Sequence, residues 1–143
     1  MRIDIDIQLL EWTRAKPLAQ PIRTQVFIQE QQVPESEEWD RWDDFSVHAL
    51  IIVDGVAAGT GRLTRDGKIG RMAVLKHYRN QGAGSAMLLA LIEEAQDRGM
   101  QRLSLSAQTH AQGFYTRHGF TTVGKEYLDV GIPHITMQLQ FKD

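Results

Sequence analysis

At 143 residues the chain has length for one sizeable core and too little for two ordinary domains. Its 42% hydrophobic and 24% charged residues are those of a soluble globular protein, and a net charge of -2 excludes a global basic field for nucleic acid or anionic lipid. Zero Cys excludes disulfides, a thiol nucleophile and thiolate zinc sites.

The opening MRIDIDIQLL lacks a basic region followed by a long apolar stretch, so no signal peptide is expected. The longest apolar run, Ala86 to Ile92, has seven residues, against roughly 18 for a membrane span. The expectation is a cytoplasmic protein with neither membrane nor nucleic acid as partner, and a single domain over residues 1–143.

Ile3, Ile5, Ile7 and Leu9 alternate with polar residues and predict a first strand with one buried face. A helix is expected from about Ala19 to Gln31, with Pro21 tolerated in its first turn and Ile22 and Val26 on its core stripe. Residues 30–44 read as a long loop carrying seven of the chain's 18 acids against the single base Arg41. Trp39, Trp42 and Phe45 are interleaved with those acids and are expected to pin the loop to the body. Such a loop is either a solvated surface or the border of a substrate mouth, where its charge would favour cationic amines.

Val47 to Val53 is a β-branched apolar strand, and Asp54-Gly55 is a hairpin turn. Partner strands follow at about Ala57–Thr64 and, after Asp66-Gly67, at about Lys68–Val74. From Gly82 to Arg98 the apolar face Met87, Leu88, Leu91, Ile92 and Ala95 predicts a helix stopped by Gly99. A helix crossing back to a strand at Leu103–Ala107 makes its pairing with Lys68–Val74 parallel. A short helix at about Ala111–His118 and two strands, near Thr121–Val130 and His134–Phe141, meeting at Gly131-Ile132-Pro133, complete the chain. The fold class is α+β: a mixed, mostly antiparallel sheet of about seven strands with helices packed on it.

The chemistry centres on Met72-Ala73-Val74, then Arg79-Asn80-Gln81-Gly82-Ala83-Gly84 opening the long helix. Two glycines around a small residue at a helix N-terminus let a bulky anion approach first-turn N–H groups that have no intrahelical partner. Arg79 adds a fork suited to phosphate oxygens. Two other readings compete: a plain tight helix entry, and a dinucleotide fingerprint, which would need a third glycine and a parallel sheet around it.

Arg79-x-x-Gly82-x-Gly84 after a strand ending in Ala-Val resembles the acyl-CoA motif of the GNAT acetyltransferase superfamily. Gln108-x-x-Ala111-x-x-Phe114-Tyr115-x-x-x-Gly119-Phe120 is similar to its second signature. Phe27-x-x-Glu30-Gln31-x-Val33-Pro34 and Gly131-Ile132-Pro133-His134 resemble the ElaA-like branch. The resemblance covers almost the whole chain. It implies acetyl-CoA as co-substrate and a small-molecule or peptide amine as acceptor. The backbone of Met72, Ala73 and Val74 would pair with the pantetheine arm. The N–H groups from Gln81 to Gly84, with Ala83 between and Arg79 and Asn80 nearby, would hold the pyrophosphate. Gln108 stands where many members place an Asn on pantetheine, and Tyr115 where the family has its general acid. A homodimer is compatible with the resemblance.

Amine attack on a thioester needs N–H donors for the oxyanion, near Met72 or Ala73, and a proton donor for the leaving thiolate. A Tyr near pKa 10 is protonated at neutral pH, which suits Tyr115; the alternative is that its ring only packs. The base is open: Ile69–Val74 contains no acid, leaving Glu30, His48, His110, His134 or a water. Arg62 and Arg71 on neighbouring strands are candidates for a substrate carboxylate or for plain solvation. The five His show no ligand spacing for a metal. Without Cys, transfer is expected by direct attack in a ternary complex. The rivals are a non-catalytic acyl-CoA-binding module and a nucleotide-binding domain.

Overall fold

The computed structural model describes residues 4–142. Seven strands form one sheet: β1 (Ile5–Leu10), β2 (Val47–Val53), β3 (Val56–Leu63), β4 (Lys68–Val74), β5 (Arg102–Gln108), β6 (Thr121–Asp129) and β7 (Ile132–Gln140). Their spatial order is β1-β2-β3-β4-β5-β7-β6. Every neighbouring pair is antiparallel except β4 and β5. The helices are α1 (Trp12–Arg23), α2 (Glu35–Glu38), α3 (Ala83–Asp97) and α4 (Gln112–Arg117). The architecture is the expected α+β one, with β2 and β4 at the expected bounds; Ile3 of the expected first strand lies outside the described residues.

Alternation along β2 sets the layers. Ala49, Ile51 and Val53 pack with Met87, Leu88, Leu91 and Ala95 of α3. Leu50 points to the other face, against Trp12, Ala15 and Ala19 of α1. The two helices therefore cover opposite faces. Along β5, Leu103, Leu105 and Ala107 are buried in the α3-side core, so Ser104, Ser106 and Gln108 face the α1 side. There, beyond α1, residues of the sheet line an open cleft.

The first helix departs from expectation. It starts at Trp12, seven residues before Ala19, and holds Pro17 and Pro21 inside it. Each proline removes one ladder bond and costs about 3 kcal/mol in a helix interior. Burial of Trp12, Ala15, Ala19 and Ile22 opposes that cost, and the wider-wound π segment Thr24–Glu30 takes up the backbone after Pro21. The acidic loop contains α2 and a 3-10 turn at Arg41–Phe45. The last hairpin turns at Val130 (φ 44°) and Gly131 (φ 78°), leaving Ile132 and Pro133 in β7. A β-branched residue at positive φ is what hid that two-residue turn from the sequence.

Candidate active site

β4 and β5 pair only at Lys68↔Ser104 and Ile69↔Leu105 and then part. A bulge helps drive the split. Between its pairings with Arg62 and Thr60, β4 carries one more residue than β3, and Arg71 there has φ 50°. Leu75 donates its N–H to Ala58 of β3. Alternation then turns the backbone groups of Ala73 toward β3 and those of Met72 and Val74 toward the gap. Met72 belongs to neither ladder.

The turn into α3 faces the end of this gap. Gly82 caps the helix in the left-handed region (φ 86°), and no side chain caps it. Ala86 N–H is the donor that reaches Gly82 O, at 3.0 Å. The N–H groups of Ala83, Gly84 and Ser85 therefore have no intrahelical acceptor. A Cβ on Gly82 would meet no protein atom within 4 Å, so the space in front of the turn is open. A pyrophosphate matches this donor set. Asn80 holds φ 63° in the same turn.

Arg79 has other partners than the expected phosphate. Its Nε donates to Val74 O at 2.8 Å, and Nη1 and Nη2 grip both Glu30 oxygens at 2.7 and 2.8 Å. That grip holds Glu30 below the usual carboxylate range. Arg79 thus ties the π segment to the end of β4, beside the turn. Gln108, at the end of β5, donates to Gln31 Oε1 at 2.8 Å.

Tyr115 projects from α4 to the gap, where its hydroxyl donates to Met72 Sδ at 3.6 Å. Its ring also packs on the core with Phe114 and Phe120. Burial pushes its pKa up to about 12. Packing and reach into the gap are combined in one side chain.

On the α1 side lies a cleft of about 950 Å³ over β4, β5 and β7, edged by residues of the acidic segment. Tyr115, Gln108, His110, His134 and Arg71 all line it. His134 Nδ1 donates to Ile132 O at 2.7 Å, and its ring stacks on Tyr127, whose hydroxyl is hydrogen-bonded to Ser106. Neither Glu30 nor His48 lines the cleft. His48 is buried against the Trp12 ring and donates from Nε2 to Asp43 O at 2.9 Å; burial lowers its pKa.

The acidic segment is not the free negative patch its composition suggests. Arg23 donates to Glu38 Oε2 (2.7 Å) and Asp43 Oδ1 (2.8 Å), all three residues being buried. Arg62 Nη1 joins Asp40 (2.8 Å) and Asp43 (3.0 Å), and Arg71 Nη2 reaches Asp40 (3.2 Å). With Glu30 held by Arg79, four of the seven acids are paired. The expected aromatic pins reduce to one. Trp39 covers the Arg23 guanidinium at 4.7 Å, while Trp42 and Phe45 are exposed beneath Arg41 and Arg65. Sequence reasoning missed Arg23 and Asp43. The available signal was a lone arginine on the apolar stripe of Ala19, Ile22 and Val26.

Residues 17–141 match the acetyltransferase (GNAT) domain family. The uncharacterized N-acetyltransferase YjcF of Bacillus subtilis is 41% identical over 121 residues, covering 81% of this chain and 86% of YjcF. An acyl-CoA N-acyltransferase from Pseudomonas aeruginosa has a TM-score of 0.82 at 30% identity, covering 95% of this chain and 99% of that one. Escherichia coli ElaA has a TM-score of 0.83 at 26% identity, covering 96% and 100%. The chain belongs to the GNAT acetyltransferase family. It is an acyltransferase. Among the described residues no helix is long and apolar enough to cross a membrane.

Proposed function

We propose that this cleft transfers an acetyl group from acetyl-CoA to a primary amine by direct attack in a ternary complex. The observation that carries the reading is the Tyr115 hydroxyl at Met72 Sδ, placing a proton donor beside the residue that belongs to neither ladder at the split between β4 and β5. Acetyl-CoA is the co-substrate. The backbone of Met72, Ala73 and Val74 flanks its pantetheine arm, with Gln108 opposite. The N–H groups from Gln81 through Gly84, with Ala83 among them, take the pyrophosphate beside Asn80.

The acceptor nitrogen bonds to the thioester carbon, the carbon–sulfur bond breaks, and Met72 N–H meets the charge on oxygen. Tyr115 donates to the departing sulfur. A phenol at about 12 facing a thiol near 8.5 holds its proton, so it stabilises the thiolate chiefly through a hydrogen bond. The proton from the amine goes to His134. Its Nδ1–H is fixed on Ile132 O, which leaves the lone pair on Nε2. His134 is only 7% exposed, and it lines the cleft. His110, exposed on the rim, has no comparable restraint among the described residues.

Thiol release from acetyl-CoA across an amine panel, with the acetylated amine identified by mass, tests the reading. Amine-dependent release is expected. CoA binding without release for any amine would mark a non-catalytic binding module instead.

A further inference from the structure

We infer that the acceptor carries a carboxylate, bound on the cleft floor by the unused edges of Arg62 and Arg71. The inference rests on the amine-acetylating reading and names its substrate class.

The starting point is an orphan. Arg62 is 7% exposed and lines the cleft, and its Nε is shielded from solvent with no hydrogen-bond partner. Its only protein partners among the described residues are Asp40 and Asp43, both reached through Nη1. The opposite edge, Nε with Nη2, is therefore left without a hydrogen-bond partner among the described residues. That edge presents two parallel N–H groups in the geometry that takes both oxygens of a carboxylate. A buried guanidinium N–H without an acceptor is unfavourable, and most buried polar groups have a partner.

Arg71 lies beside it. The two guanidinium groups hold the two oxygens of one carboxylate, Asp40, Arg62 on Oδ1 and Arg71 on Oδ2. Arg71 spends Nε and Nη2 on Glu37 O, Glu38 and Asp40, and its Nη1 has no partner among the described residues. The β4 bulge, with Arg71 at φ 50°, is what delivers this side chain to the cleft.

Charge and hydrogen bonding then separate the candidates. Arg23, Arg62 and Arg71 are matched in number by Glu38, Asp40 and Asp43, so the cluster carries little net field. What it has in excess is donors. A ligand made only of acceptors fits that excess, and a monoanion meets less repulsion from Asp40 and Asp43 than a phosphate dianion does. A neutral carbonyl satisfies one donor where a carboxylate satisfies the paired edge.

Paired ligands separate this inference from turnover. N-acetylglycine, N-acetylmethionine and N-acetylphenylalanine are titrated calorimetrically into the CoA-saturated protein beside their carboxamides. At least one carboxylate is expected to bind about tenfold or more tightly than its amide. Arg71→Gln and Arg62→Gln should erase the difference; Arg71→Gln serves if loss of the buried arginine prevents folding. Equal binding of acid and amide, a preference that survives Arg71→Gln, or no binding by any carboxylate overturns the inference. Because binding is read without catalysis, a protein that takes the carboxylates yet never releases thiol would refute the acetyl-transfer reading alone.

Discussion

β4 and the turn into α3 offer backbone atoms, whereas the cleft wall made by residues 35–45 offers side chains. In the first, Met72, Val74 and the N–H groups from Ala83 to Ser85 are placed by local conformation: a bulge, a left-handed glycine, an uncapped helix end. In the second, three arginines and three acids from four separate segments hold one another in place. A backbone-built region tolerates side-chain change but not a change of conformation. A wall of buried ion pairs is the reverse: its backbone is irregular, and each charge depends on its partners.

The largest expected effect lies in the side-chain wall. Asp43→Ala leaves the Arg23 and Arg62 charges short of a buried partner, and breaking such a pair costs about 3–5 kcal/mol. Thermal melts should show Tm lower by about 10 °C. Asn80→Gly, in the backbone-built region at φ 63°, should leave Tm nearly unchanged. Equal melts for both variants would erase the distinction.

Next comes the converse test. Gly82→Val forces a β-branched residue into φ 86° and fills the open space before the helix end. Calorimetric affinity for CoA should fall about 100-fold with the fold kept. A folded variant that binds CoA normally would remove the turn from the site.

The smallest effect is in pH. His48 is buried neutral with its pKa lowered, so the unfolded chain binds the extra proton first. Stability tied to it is full above about 6.5 and falls as pH drops toward the folded value. The Arg79 hydrogen bond lowers Glu30. At Asp40 burial works upward but is outweighed by Arg62 and Arg71. Their contributions hold above about 4 and are lost on further acidification through the lowered values. Melts at pH 7 and pH 5 should show a Tm drop that shrinks in His48→Gln; an undiminished drop assigns the slope elsewhere.

The same contrast explains what the sequence could reveal. Gly82, Gly84 and the apolar face of α3 lie within a few residues of one another, and β2 and β4 announce themselves by β-branched content and turns. Tyr115 and His134 were reachable through motifs, and both line the cleft. The Arg23 cluster was not legible, because its pairs are 15 to 20 positions apart, and Arg71 meets Asp40 across 31. No local periodicity encodes such pairings. The start of α1 was missed because Pro17 and Pro21 read as breakers, while the burial that overrides them belongs to tertiary packing.

Steady-state thiol release by wild type and Tyr115→Phe, with one accepted amine, tests the central claim most directly. The variant keeps the ring on Phe114 and Phe120 and loses only the hydroxyl at Met72. The account predicts a fall in kcat of about 100-fold with acetyl-CoA affinity little changed. Near-normal turnover in the variant would contradict it and reduce Tyr115 to packing.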